Sequence, residues 1–123
     1  MLHGIGVDTV DIPRFARRLE RTPALRARLF TAAERELPVH SLAARFAAKE
    51  ALIKAIGGSG GLGWQDIEIV RDADRAPSFA PTPGLRRELG SRGAGRAHLS
   101  MTHDGGFATA FVILERTTDG AEE

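Results

Sequence analysis

SLAARFAAKEALIKAI occupies residues 41–56, and GGSGGLG follows at residues 57–63. The first stretch is Ala, Leu, Ile and Phe interrupted by four charges, with no internal Gly or Pro, and it stops at Gly57-Gly58. That composition and that stop read as a helix from Leu42 to Ile56, with Ser41 as its cap. The charges are Arg45, Lys49, Glu50 and Lys54. At about 100° per residue they fall at roughly 0°, 40°, 140° and 180° around the axis, so one half of the helix is polar and the other apolar. An ordinary amphipathic helix with a Glu50–Lys54 pair satisfies this pattern. So does a polar wall of three cations and one carboxylate facing an anion. The second arrangement suits phosphates bridged by a hard cation, because Mg²⁺ is usually held by one or two carboxylates plus substrate oxygens. A second carboxylate would then come from elsewhere.

Upstream, Leu2 to Val10 is short, apolar and glycine-containing, and reads as a buried strand. Asp8 ends its GIGVD stretch and is the candidate second carboxylate, although spacing alone favours a turn or capping role for it. Asp11 and Pro13 mark a helix start. Ile12, Phe15, Ala16 and Leu19 then share one helical face, and Arg14, Arg17, Arg18 and Arg21 share the opposite one. Thr22-Pro23 restarts a short helix containing Leu25 and Leu29, and Thr31 with Glu34 has capping-box spacing. Downstream of the connector, Trp64 to Arg71 reads as a strand, with Trp64 in the core. Asp72 to Pro77 reads as a turn, and Thr82-Pro83 starts a helix through about Arg92. Arg96–His103 and Phe107–Glu115 read as strands joined by Asp104-Gly105-Gly106. Residues 117–123 are polar and expected to fray. Strands at both ends with helices between them imply an α+β fold, a small antiparallel sheet packed with one long buried helix, in a single domain over residues 1–123.

Composition narrows the function. The 123 residues carry 17 Lys+Arg against 16 Asp+Glu, a net charge of +1, which argues against nucleic-acid binding by bulk charge. The absence of cysteine excludes disulfide scaffolds, thiolate metal sites and thiol catalysis. His3, His40 and His98 show no metal-ligand spacing. No apolar run reaches the ~18 residues of a membrane span, and MLHGIGVDTV has no leader-like pattern, so a cytoplasmic protein is expected. GGSGGLG lacks the Gly-Lys-Ser/Thr of a phosphate-binding loop.

GIGVDTVDIPRF (residues 4–15) and RFAAKEALIKA (residues 45–55), in that order, resemble the holo-[acyl-carrier-protein] synthases, which are 4'-phosphopantetheinyl transferases. WQDIEI (64–69) and SMTHDGG (100–106) extend the resemblance to nearly the whole chain. It implies transfer of the phosphopantetheine arm of coenzyme A to a serine of an apo acyl carrier protein of the fatty-acid or polyketide type. It further implies Mg²⁺ and release of adenosine 3',5'-bisphosphate. By motif match, Asp8 and Glu50 are the metal carboxylates, Arg45 and Lys49 face the coenzyme A phosphates, and Lys54 lies near the pyrophosphate. His103 is carried over as a phosphate or catalytic residue. A base for the serine proton is left open among a water on the metal, the carboxylates and His103. The family forms homotrimers with active sites at subunit interfaces, so a trimer is expected.

Residues 12–28 hold six arginines and one acid, Glu20. A stripe this one-sided in a near-neutral chain can steer an acidic partner. The resemblance places Arg14, Arg18 and Arg21 at the carrier-docking surface. The chain departs from the family at residues 31–42, which are short, at the compact glycine connector, and at Arg75-Ala76-Pro77. Many members have Gly-Lys-Pro or Gly-Arg-Pro there, so no coenzyme A contact is carried over to that segment. Two other classes fit the same features: a coenzyme A or nucleotide-binding module without activity, and a non-enzymatic adaptor for an acidic carrier.

Overall fold

The computed structural model describes residues 1–117. In chain order its elements are β1 (Leu2–Asp11), α1 (Ile12–Arg21), α2 (Ala24–Leu29), α3 (Val39–Ile56), a 3-10 turn at Trp64–Asp66, β2 (Ile69–Arg71), β3 (Pro77–Phe79), α4 (Pro83–Ser91), β4 (Ala94–Asp104) and β5 (Phe107–Arg116). The expected frayed tail, residues 118–123, lies outside the described residues. Three strands form an antiparallel sheet in the order β1-β5-β4, and β2 with β3 makes a separate hairpin. This is the α+β arrangement that the sequence implies. Among the described residues no helix is long and apolar enough to cross a membrane.

The long helix is buried almost all round, including Leu42, Ala43, Ala47, Ala48, Ala51, Leu52, Ala55 and Ile56. Its C-terminal half packs on the inner faces of β5 and β4 and on Leu85 of α4. Its N-terminal half packs against Phe15 and Leu19 of α1 and Leu25, Leu29 and Phe30 around α2. Both clusters therefore share α3. The helix comes so close to β1 because β1 has no side chain at the contact. A Cβ at Gly6 would lie 1.9 Å from the Ala51 carbonyl oxygen, and one at Gly4 would lie 2.1 Å from that of Ala55. From Gly4 to Val10 the even-numbered residues of β1 thus face the helix, while Ile5 and Val7 face away and are exposed.

Several local expectations are corrected. β1 is covered on one face only, whereas its apolar run reads as a fully buried strand. It also continues through Asp11, so Asp8 is mid-strand rather than at the exit. Ser41 lies inside α3, and the helix begins earlier because Pro38 takes the extended N-cap position and its carbonyl accepts the Ser41 and Leu42 N–H groups. The segment 64–71 is a strand only from Ile69. Before it the Asp66 carboxylate accepts the Gly63 N–H at 2.8 Å and closes a turn instead. Trp64 is half-buried at the edge of the core, packed on Phe46. The remaining signals act as expected. Asp11 caps α1 through the Arg14 N–H, Thr82 caps α4 through the Leu85 N–H, and Gly105-Gly106 form the two-residue β4–β5 turn with positive φ.

Gly6→Ala should destabilise the chain by about 3 kcal/mol, because backbone must move to admit the methyl. Ile5→Ala, on the open face, should cost less than about 1 kcal/mol. Urea unfolding measures both, and equal midpoints for Gly6→Ala and wild type would refute the close helix–strand contact.

Candidate active site

The alternation of β1 carries Asp8 onto the same face as Gly4 and Gly6, against α3. There it meets Lys54, whose ammonium donates to Asp8 Oδ1 and to the Val7 carbonyl, both at 3.0 Å. Lys54 is half-exposed and Asp8 is mostly covered. Glu50, one helical turn before Lys54, shares a cleft of about 510 Å³ with Asp8, Asp11, Arg14, Arg18 and Phe107. Burial raises the Glu50 carboxyl above the usual carboxylate range, the Asp8 charge raises it further, and Lys54 offsets part of the effect.

The polar half of α3 does not form one wall. Phe46 and Ile53 lie at roughly 100° and 80° on the same axis, between the two pairs of charges. Phe46 stacks on Phe15 at 5.3 Å and packs on Trp64 at 5.5 Å, dividing the surface in two. Glu50 stays on the open cleft, with Lys54 beside it on Asp8. Arg45 and Lys49 lie on the other side.

Lys49, expected to face phosphates, is fully buried and lines neither cavity. Its ammonium donates to Glu34 Oε1 and the Leu29 carbonyl, both at 2.8 Å, and to the Trp64 carbonyl at 3.3 Å. Burial draws its pKa down, and the hydrogen bond and charge of Glu34 oppose that. Glu34 does accept the Thr31 N–H, as the capping-box spacing implies, but the Thr31 hydroxyl turns to Glu68.

Arg45 lines a second cavity of about 330 Å³, with Leu37, His40, Ser41, Ala44, Arg71, Arg75 and His103. Among the described residues no carboxylate lines this cavity. The Arg45 Nε is buried without a hydrogen-bond partner. Burial disfavours its charge, Glu34 favours it, and Arg71 and Arg75 add repulsion. His40 and His103 pack ring to ring at 5.4 Å. Such a cavity is built for an anion. His103 is thus placed with Arg45, outside the cleft that Asp8 and Glu50 line.

Arg71, Arg75 and His40 are the residues that the sequence reading passes over. Arg75 reaches the cavity from a left-handed backbone position (φ 68°), held by Arg71, which donates to its carbonyl at 2.6 Å. The missing Gly-Lys-Pro pattern therefore does not leave this place without a cation. On α1, Arg14 and Arg18 border the carboxylate cleft, whereas Arg21 is exposed outside it. Arg26, counted in the same stripe, donates to the Arg35 carbonyl.

Among the described residues no group of three or more His, Cys, Asp or Glu could hold a metal. Asp8 and Glu50 offer hard oxygen donors whose mutual repulsion only Lys54 relieves, which fits a divalent cation completed by ligand oxygens. A carboxyl raised by folding makes the folded state less stable as pH rises from the ordinary carboxylate range through its folded pKa. Glu50→Gln, without divalent cation, should therefore have the higher Tm at pH 8, and the difference should vanish below about pH 4. A thermal-unfolding series that shows no pH dependence of the difference would contradict this.

Comparison with known proteins agrees with the geometry. The family model of the 4'-phosphopantetheinyl transferase superfamily matches residues 4–112. The holo-[acyl-carrier-protein] synthase of Leifsonia xyli subsp. xyli is 64% identical over 116 residues, 94% of this chain and 98% of that one. That of Clavibacter sepedonicus is 63% identical over 115 residues, 94% of this chain and 97% of the other. The crystal structure of the Neisseria meningitidis synthase superimposes with a TM-score of 0.86 at 35% identity, covering 94% of this chain and all of that one. The Helicobacter pylori synthase in complex with coenzyme A gives 0.80 at 28% identity, covering 90% and 99%. With a family match over most of its length and close relatives along nearly all of it, the chain belongs to the 4'-phosphopantetheinyl transferase superfamily, in its holo-[acyl-carrier-protein] synthase family.

Proposed function

We propose that the chain moves the 4'-phosphopantetheine group of coenzyme A to a serine of an apo acyl carrier protein, with Mg²⁺ required and adenosine 3',5'-bisphosphate released. The observation that carries this reading is the paired carboxylates Asp8 and Glu50 in one cleft with Lys54 beside them. The serine oxygen forms a bond to the phosphorus that carries pantetheine. The bond from that phosphorus to the bridging pyrophosphate oxygen breaks, and the nucleotide leaves. This is phosphoryl transfer, in which a protein acts chiefly by positioning and charge stabilisation. Asp8 and Glu50 would hold the cation, which when bound supplies charge neutralisation at the phosphate oxygens. Lys54, half-exposed and held beside the cleft by Asp8 and the Val7 carbonyl, would offset charge on the leaving phosphate. The serine proton must pass to a base, and the cleft offers its carboxylates for that role.

The cavity of Arg45, Arg71, Arg75, His40 and His103 suits the remaining phosphate of coenzyme A, a monoester with up to two charges. His103 thereby acts as a phosphate contact rather than as the base. Arg14 and Arg18 at the rim of the carboxylate cleft, with Arg21 beyond them, suit an acidic carrier of the fatty-acid or polyketide type.

The outer sheet face supports a homotrimer. Ile5, Val7 and Phe111 are 58%, 52% and 42% exposed, and Ile5 pairs with Ile113 while Val7 pairs with Phe111. A contiguous apolar face of this kind marks an interaction surface. Light scattering should read three chains for wild type and fewer for Phe111→Glu; a monomeric wild type would refute the assembly.

The transfer itself is tested by the mass of an apo carrier protein incubated with the chain, coenzyme A and Mg²⁺. A gain of about 340 Da, the phosphopantetheine arm, should appear, vanish with EDTA, and vanish in folded Asp8→Ala and Glu50→Ala variants. Arg14→Glu should raise the KM for carrier well above its effect on coenzyme A. No mass gain across several carriers, with coenzyme A still bound, would make the chain a binding module instead.

A further inference from the structure

The buried Lys49–Glu34 pair lines neither cavity, yet it joins α3 to the start of β2, and those two elements carry Arg45 and Arg71 to the second one. Lys49 Nζ holds the end of α2 at the Leu29 carbonyl and the 3-10 turn at the Trp64 carbonyl. It also lies 5.1 Å from the Phe30 ring centroid. Glu34 Oε1 accepts from Lys49 and from the Thr31 N–H, and Oε2 accepts from the Ile69 N–H at 2.9 Å. Ile69 is the first residue of β2, whose last residue is Arg71, and the β2–β3 turn carries Arg75. Arg45 lies one helical turn before Lys49 on α3 and is favoured by the Glu34 charge. Thr31 adds a 2.6 Å bond to Glu68, just before β2.

A pair this deep is a poor way to gain stability. Desolvating two charges offsets most of their attraction, and apolar replacements of both are often neutral or stabilising. What such a pair supplies is fixed geometry. We propose that Lys49 and Glu34 are positioning residues, an internal brace that sets the β2–β3 hairpin against α3 so that Arg71 and Arg75 converge with Arg45 on one phosphate. This rests on the reading of that cavity as the phosphomonoester site.

The test is calorimetric titration of coenzyme A and of dephospho-coenzyme A, which lacks the monoester, into wild type and Glu34→Leu/Lys49→Met. Wild type should prefer coenzyme A. The variant, at a temperature where it is folded, should lose about tenfold in affinity for coenzyme A, the worth of one charge-assisted hydrogen bond, while dephospho-coenzyme A is unaffected. The KM for carrier should not change. A folded variant that keeps the full preference for coenzyme A overturns the brace. A wild type that binds both nucleotides equally overturns the phosphate reading of the cavity and the inference with it, and the two failures are told apart by which protein shows them. Should the double variant not fold, Glu34→Gln/Lys49→Met keeps an acceptor for the Ile69 N–H. It should show a smaller loss in the same direction, and an unchanged preference again overturns the brace.

Discussion

The contact of Gly4 and Gly6 with the backbone of Ala55 and Ala51 fixes everything built on it. With no Cβ in the way, α3 lies directly on β1, nearer than any larger residue would allow. That spacing sets the sheet-to-helix distance for the whole core and brings Asp8, two residues beyond Gly6, alongside Glu50 and Lys54. The cleft thus inherits its geometry from two missing side chains. The alanines opposite are small for the same reason, so packing and chemistry ask for the same residues at the same place.

Around its circumference α3 does three different things. One side is apolar and carries both halves of the core. A second presents Glu50 to an open cleft, where burial and the charge of Asp8 work against its ionised form. The third presents buried cations, one satisfied internally and one held with an unpartnered Nε. Like-charged groups gathered in this way are tolerable because the surrounding packing over-determines them and because Glu34 and Lys54 supply part of the counter-charge.

Much of this was legible in the chain, for physical reasons that also explain the gaps. Glu50 and Lys54 could be read because one turn of α3 fixes their side of the helix, and Asp8 only as an acid closing an apolar run, its pairing with Glu50 being what the family resemblance implies. Lys49 could not. Helical angle says which side a residue is on but not what covers that side, and the cover here comes from residues 29–34 and from Trp64. Glu34 read as half of a local capping box, which it is, while its second carboxylate oxygen serves Ile69, 35 residues away. Arg71 and Arg75 reach the anion cavity only because a short hairpin folds back beside α3. Motif comparison hid them further, since Arg75 occupies a different place from the basic residue of the usual Gly-Lys-Pro or Gly-Arg-Pro. The misplaced cap at Ser41 is a simpler case: Pro38, three residues earlier, is also compatible with a helix start, and the backbone took the longer helix.

The strand order has a consequence for how the chain is made. β5 is the last described strand and also the middle one, paired with β1 at Leu2–Glu115 and with β4 at Ala94–Arg116. Contacts of such sequence separation form slowly. As the polypeptide leaves the ribosome, β1 and α3 emerge without the strand that joins them to β4, and their apolar surfaces wait unpaired until nearly the whole chain is out. Synthesis rather than local propensity then times the assembly of the sheet, and a break in translation within the final strand would leave two edges with nothing between them.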